Sequence, residues 1–231
     1  MANILRLAGV RKSYTKAQSS VEALRGIDLS IDKGEFLAIV GPSGSGKTTL
    51  LNIVGCLDLP TSGSVLYDGR ELGGMKEREL SLYRKENISF IFQSYNLIPV
   101  LTVMENVELP MVIERRFSKI EMRSRAREII SAVGLGAMAS RYPRELSGGQ
   151  EQRVAIARAL VKNPIVVLAD EPTANLDSHT AEEIMTLMEE MNARLSTTFI
   201  FSTHDSMVQK HARRVIVLRD GMVHEDRKDA A

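Results

Sequence analysis

The stretch FLAIVGPSGSGKTTLLNIVGCL, Phe36–Leu57, decides the fold. Phe36 to Val40 are consecutive apolar residues, the pattern of a strand buried on both faces, and Thr48 to Leu57 have the length and apolar density of a buried helix. Between them Gly41-Pro42-Ser43-Gly44-Ser45-Gly46-Lys47-Thr48 fits G-x-x-x-x-G-K-[ST], in the strand-to-helix position that its chemistry requires. Its glycines let the backbone wrap closely, so that several N–H groups and the positive end of the helix dipole meet one anion. Lys47 adds a full charge toward the β- and γ-phosphates of a nucleotide, and Thr48 can set its hydroxyl on Mg²⁺. A glycine-rich turn that merely caps a core helix is the plainer alternative. The flanking strand and helix favour a phosphate loop, with Gly41 through Thr49 as its ligand-facing residues.

Outward from this loop, ILRLAGVRKSY (4–14) and VEALRGIDLSI (21–31) alternate apolar and polar residues, SGSVLYDGREL (62–72) reads as a short strand pair, and ISFIFQ (88–93) is a compact apolar strand. From Ser94 to about Lys162 the character changes. Met122, Ala126, Ile129, Ile130 and Val133 fall at helical spacing, with charged residues mostly on other faces, which indicates a helical insert. After Pro164 stops the last of these helices, IVVLAD, TFIFST and RVIVLRDGMV return as strands around the helix SHTAEEIMTLMEEMNARL. Asp220-Gly221 is a hairpin turn signal, and HEDRKDAA reads as a frayed tail. The expected fold is α/β: a P-loop NTPase core with a mainly parallel sheet, an antiparallel β subdomain and an inserted helical subdomain. All of it forms a single domain over 1–231, with core and β subdomain at about 1–93 and 163–231 and the helical subdomain at about 94–162.

Composition narrows the setting. Thirty basic residues against twenty-nine acidic ones give a formal charge of +1, which supplies no general drive toward nucleic acid or an anionic membrane. The single cysteine, Cys56, excludes an internal disulfide, and MANILRLAGVRK has no apolar run of signal-peptide length. No segment reaches the ~18 consecutive apolar residues of a membrane span. These features place the chain in the cytoplasm, with any membrane work done through a partner.

A bound nucleotide needs a metal partner and, for hydrolysis, a group that prepares water. IVVLADEP ends a buried strand on two consecutive carboxylates: Asp170 is the expected Mg²⁺ partner, and Glu171 the general base or water-positioning group. A solvated turn is the alternative reading of that acid pair. His204 follows the strand TFIFST and can reach a γ-phosphate across the strand ends, where open α/β sheets place ligands, although a lone histidine is more often structural. Gln93 ends ISFIF and can contact Mg²⁺ or the attacking water; Tyr14 can stack on a base, or simply pack. In LSGGQEQR, Leu146–Arg153, Ser147 and Gln150 form an S-x-x-Q capping box ahead of VAIARALV. Capping needs no Gly148-Gly149. Two bare glycines at a helix start add exposed N–H groups suited to a phosphate, yet the chain already has one phosphate loop. The favoured resolution is that this second surface completes the site of another copy. Met104, Met111, Met122 and Met138 suggest an adaptable groove for a partner's helix, core filling being the alternative.

GPSGSGKT, Gln93, LSGGQ, VVLADE, NLD and His204 resemble, in order and spacing, the ATP-binding-cassette ATPases, over essentially the whole chain. The resemblance implies a head-to-tail homodimer that sandwiches two ATP molecules, each held by one subunit's phosphate loop and the other's Ser147, Gly148, Gly149 and Gln150. It places Asp177 of NLD on a loop that communicates across the dimer and makes Tyr14 the adenine-stacking aromatic. Gln93 becomes the metal- and permease-sensing glutamine, and His204 the γ-phosphate switch. CLDLPTSGSVLYDG and FIFQSYNLIPVLTVMENVELPM are similar to the branch serving lipoprotein release and macrolide export. That implies an ATPase bound to the inner face of the membrane through an integral permease. Glu151 and Ala174 depart from residues common in that branch, Gln and Gly. The alternative is a soluble cassette acting in DNA repair or translation, although the long insertions or paired cassettes usual there are absent. A GTPase would need N-K-x-D, which the sequence lacks, and a small-molecule kinase leaves LSGGQ unexplained.

Overall fold

The computed structural model describes residues 3–16 and 19–228. Its centre is a six-stranded sheet in the order β10-β9-β3-β8-β7-β6, built from β3 (Phe36–Val40), β6 (Ile88–Phe92), β7 (Val166–Asp170), β8 (Thr198–Thr203), β9 (Arg214–Arg219) and β10 (Met222–Lys228). All its neighbours pair in parallel except the β9–β10 hairpin. The apolar runs of β3, β7 and β8 fit a strand covered on both faces, and alternation sorts their side chains. Phe36, Ala38, Val40, Val167, Ala169, Phe199 and Phe201 face one core; Leu37, Ile39, Val166, Leu168 and Ile200 face the other.

The first core is closed by α3 (Val103–Glu114), α4 (Lys119–Ala132), α5 (Gly148–Leu160), α6 (Ser178–Leu195) and α7 (Ser206–His211). Each starts on a side-chain cap that removes an orphan N–H: Thr102, Ser118, Ser147, Asp177 and Asp205. The second core lies over α1 (Lys47–Val54) and α2 (Glu77–Asn87). An antiparallel sheet covers it, in the order β2-β1-β4-β5, from β1 (Asn3–Lys16), β2 (Ser19–Asp32), β4 (Ser62–Tyr67) and β5 (Arg70–Glu71). Cys56 sits here, and burial pushes its thiol up to about 12, so it is no nucleophile at neutral pH.

Two expectations are overturned. His224 to Lys228 are not a frayed tail: they continue β10, paired with β9 as far as Lys228 opposite Arg214, while residues 229–231 lie outside the described residues. The strand is held by charge. Arg214 donates through Nε and Nη2 to both Asp226 oxygens at 2.8 and 2.7 Å and through Nη1 to Glu35 and the Ser30 carbonyl, and Lys228 reaches Glu35 at 2.6 Å. The methionines are the second correction. Met104 and Met111 are buried in the first core, and Met122 and Met138 pack against it, so the four mainly fill space rather than form one shared groove, although Met104 also borders a surface pocket with Thr102, Glu105, Arg123 and Arg127.

The Arg214 fork holds the Asp226 carboxyl below its ordinary range, against the opposing effect of burial. A carboxylate with a lowered folded pKa contributes stability that is complete above its unfolded value near 3.9 and is lost as pH falls through the folded value. Asp226→Asn is therefore expected to cost about 1 kcal/mol at pH 7, discounted for the half-exposed carboxylate. Urea unfolding of both proteins from pH 7 down to pH 2 is expected to show the gap closing toward the acid end. A constant gap would mean that Asp226 acts through packing.

Candidate active site

Parallel pairing brings four strand ends to one edge. Phe92 lies opposite Asp170, Asp170 opposite Ser202, and Val40 opposite Thr203, so the residues that follow β6, β7, β8 and β3 emerge together: Gln93, Glu171, His204 and the loop from Gly41. This is the crevice position of ligands in open α/β sheets.

The loop after β3 wraps tightly. A Cβ on Gly41 would come within 2.1 Å of the Leu218 carbonyl oxygen, so no other residue fits. Gly46 caps α1 without any side-chain bond, and no acid stands in the helix's first turn. The N–H groups and dipole of α1 are therefore offset by no side-chain cap and no acid of the helix's own first turn, which suits a phosphate. Lys47 Nζ arches back over the loop to donate to the carbonyls of Gly41 and Pro42 at 2.7 and 3.1 Å, and the Ser45 hydroxyl is buried without a protein partner.

Across the edge, Glu171 sits in a left-handed backbone conformation, φ +46°, with its N–H donating to the Ser202 carbonyl. Its carboxylate accepts from the Thr203 hydroxyl at 2.9 Å and from His204 Nδ1 at 2.5 Å. That Glu171–His204 contact joins residues 33 positions apart, and no sequence signal announces it. The carboxylate is largely buried while the imidazole is mostly exposed, so the acid anchors a side chain that reaches outward. Gln93 is exposed, and its carbonyl accepts from Asn175 Nδ2 at 2.9 Å. Tyr14, 40% exposed on β1, donates to Asp58, and Lys12 Nζ lies 5.1 Å from the ring centroid.

The second helix start forms as its residues dictate. Ser147 Oγ accepts from the Gln150 N–H and Gln150 Oε1 accepts from the Ser147 N–H, a closed capping box on α5. The glycines have a packing reason besides exposed N–H groups: a Cβ on Gly149 would meet the Thr180 methyl at 2.5 Å, and one on Gly148 would meet the Tyr95 hydroxyl at 3.3 Å. Asp177 caps α6, accepting from the N–H groups of His179 and Thr180 and the Thr180 hydroxyl; those bonds hold its carboxyl below the usual range. Three positioning groups escaped the sequence reading. Buried Gln152 donates to the Pro172 carbonyl beside Glu171, Asn175 holds Gln93, and Arg158 bonds the turn after Gln93.

The ABC transporter family profile matches residues 24–174. The lipoprotein-releasing system ATP-binding protein LolD of Bacteroides thetaiotaomicron is 47% identical over 96% of this chain and 100% of its own length. The macrolide export ATP-binding/permease protein MacB of Rhodopseudomonas palustris is 46% identical over 96% of this chain, which spans 34% of that longer protein. Among solved structures, a dimeric post-hydrolysis state of the ATP-binding cassette MJ0796 bound to ADP and Pi superposes with a TM-score of 0.87, 45% identity, and coverage of 98% of this chain and 99% of that one. Its protein, from Methanocaldococcus jannaschii, is an ABC transporter ATP-binding protein 46% identical over 97% of both chains. A phosphate loop, a carboxylate pair and a capped glycine helix start, on a fold shared over nearly the full length, make this chain a member of the ABC transporter family, one of its ATP-binding, ATP-hydrolysing cassettes.

Proposed function

We propose that this cassette is the homodimeric motor subunit of a transporter of the lipoprotein-release or macrolide-export type, working on the inner face of the membrane through a separate permease. The observation that carries this reading is the split in the site. The phosphate loop, Asp170-Glu171, Gln93 and His204 share one sheet edge, whereas Ser147–Gln150 open a different helix, packed on Tyr95, Leu176 and Thr180. Head-to-tail pairing lets the second surface of one subunit cover the nucleotide held by the first surface of the other. The relatives named above favour transport over DNA repair or translation, and among the described residues no helix is long and apolar enough to cross a membrane.

The loop Gly41–Thr49 wraps the triphosphate, Lys47 turning from its own carbonyls to the β- and γ-phosphates, while Tyr14 offers its exposed face to the adenine. Thr48 hydroxyl, Gln93 amide oxygen and Asp170 carboxylate form a hard oxygen donor set of the kind that suits Mg²⁺, and these residues would hold it. When bound, Mg²⁺ neutralises phosphate charge. Glu171 accepts the proton of the attacking water as the bond from the γ-phosphorus to the bridging oxygen breaks and ADP leaves. His204, steadied by Glu171 through Nδ1, points its other ring nitrogen toward the γ-phosphate. Ser147, Gly148, Gly149 and Gln150 close over that phosphate in trans, with Asp177 on the neighbouring loop, so hydrolysis reopens the dimer. We assign about 94–162 as the helical lever and the rest as core and β subdomain.

The permease's docking place is a groove distinct from the expected methionine surface. Leu57, Phe90, Phe92, Leu109, Pro110 and Ile113 line it, between β6 and α3, with Arg84 and Lys85 on its rim. Leu57 and Ile113 are half-exposed, and the rings of Phe90 and Phe92 stack 5.7 Å apart. An apolar cleft beside Gln93 with a basic rim suits a short amphipathic helix carrying an acidic residue. Ile113→Glu is expected to abolish recovery of an integral membrane protein in pull-downs from detergent-solubilised membranes, with ATP turnover of the isolated chain within about twofold of wild type. Undiminished recovery would place the permease elsewhere.

A further inference from the structure

Two consecutive residues just past Gln93 adopt the left-handed conformation that side chains disfavour: Tyr95 at φ +54° and Asn96 at φ +50°. Such a turn persists only where its surroundings hold it. Arg158, on the third turn of α5, supplies the hold: Nη1 donates to the Asn96 carbonyl and Nη2 to the Tyr95 carbonyl, both at 2.5 Å. The planar fork matches two neighbouring acceptors, which a lysine cannot do.

No carboxylate lies within salt-bridge distance of Arg158 among the described residues, and burial holds its guanidinium below its ordinary range. A methionine would fill the same stem space beside the core without removing a charge from water. What the arginine adds is the grip on those carbonyls. The turn also packs on the start of α5, where the Tyr95 hydroxyl lies against Gly148, while the Gln93 carbonyl is held by Asn175 from the loop between β7 and α6.

We infer that Arg158 is a positioning residue that locks the Tyr95-Asn96 turn to the body of α5 and thereby fixes where Gln93 stands, at the end of β6, relative to the Ser147–Gln150 helix start. The inference rests on the role proposed for Gln93 in catalysis.

The test is a double-mutant cycle on ATP turnover by the full chain. Arg158→Lys is expected to lower kcat about tenfold while KM for ATP and the melting temperature stay near wild type. Asn96→Pro, on the exposed turn, cannot adopt φ +50° and forces Tyr95 into extended backbone; it is expected to reproduce that loss, and it carries the test alone if the Arg158 variant does not fold. In a Gln93→Ala chain, Arg158→Lys is expected to add no more than about twofold, because the tether acts through Gln93. An equal tenfold loss in both backgrounds, or Arg158→Lys and Asn96→Pro variants that turn over at the wild-type rate, would overturn the tether. If instead Gln93→Ala alone turns over normally, the role given to Gln93 falls first, and the tether falls with it.

Discussion

Glu171→Gln is expected to bind ATP within about twofold of wild type, to lose turnover by a hundredfold or more, and to accumulate as an ATP-bound dimer. The substitution keeps the shape of the side chain. Its oxygen can still accept from the Thr203 hydroxyl, and the residue's N–H still bonds the Ser202 carbonyl, so the left-handed backbone and the strand edge are preserved. What disappears is the acceptor for the proton of water. Since none of the groups proposed to hold the triphosphate is altered, affinity is retained, and the state before hydrolysis becomes long-lived. Equilibrium nucleotide binding, steady-state phosphate release and sedimentation of the same preparation separate these quantities. Full hydrolysis by the variant would remove Glu171 from the chemistry and leave its bond to His204 as a structural contact.

Ser147→Arg is expected to abolish ATP-driven dimerisation, weakening it a hundredfold or more, while a single subunit's affinity for ATP changes by less than about twofold. The long side chain occupies the face of α5 that closes over the partner's phosphate, but the phosphate loop of its own chain is untouched. Loss of the Ser147 cap alone costs about 1 kcal/mol of stability, so a second variant keeps the comparison clean. Ser147→Asp retains a good cap and sets a negative charge against the incoming phosphate, and it is expected to lose dimerisation too. Dimers that form normally in both variants would show that this helix start never meets nucleotide.

How much was legible follows from where each signal lies along the chain. The phosphate loop was readable because strand, glycines, lysine and helix are contiguous, and Asp170-Glu171 because an apolar run ends on them. Ser147 and Gln150 were readable because a capping box is local. The far part of the last strand was not, although Asp220-Gly221 announced its turn and Met222 and Val223 its start. Met222–Lys228 is polar along most of its length, and its stability comes from Arg214 and Glu35, the latter 193 residues from Lys228. α2 escaped for a related reason, since Leu80 and Tyr83 alone among its residues are buried and the apolar stripe is too sparse to stand out. Methionine chemistry cannot tell a partner groove from a core, and nothing in the compact apolar strand ISFIF showed that its phenylalanines would be partly on the surface, with Phe92 39% exposed. The Glu171–His204 and Arg158–Tyr95 contacts join distant positions and become visible only in three dimensions.

Shared custody of the nucleotide is tested most directly by mixing two disabled chains. Lys47→Ala spoils the phosphate loop and leaves Ser147 intact; Ser147→Arg does the reverse. If each site draws its loop from one subunit and its capped helix start from the other, the mixed dimer contains one whole site, so ATP-dependent association returns in the mixture with one nucleotide per dimer, although neither protein alone associates. If every site is built within one chain, both halves of the mixture stay defective, and the mixture remains monomeric at every ATP concentration.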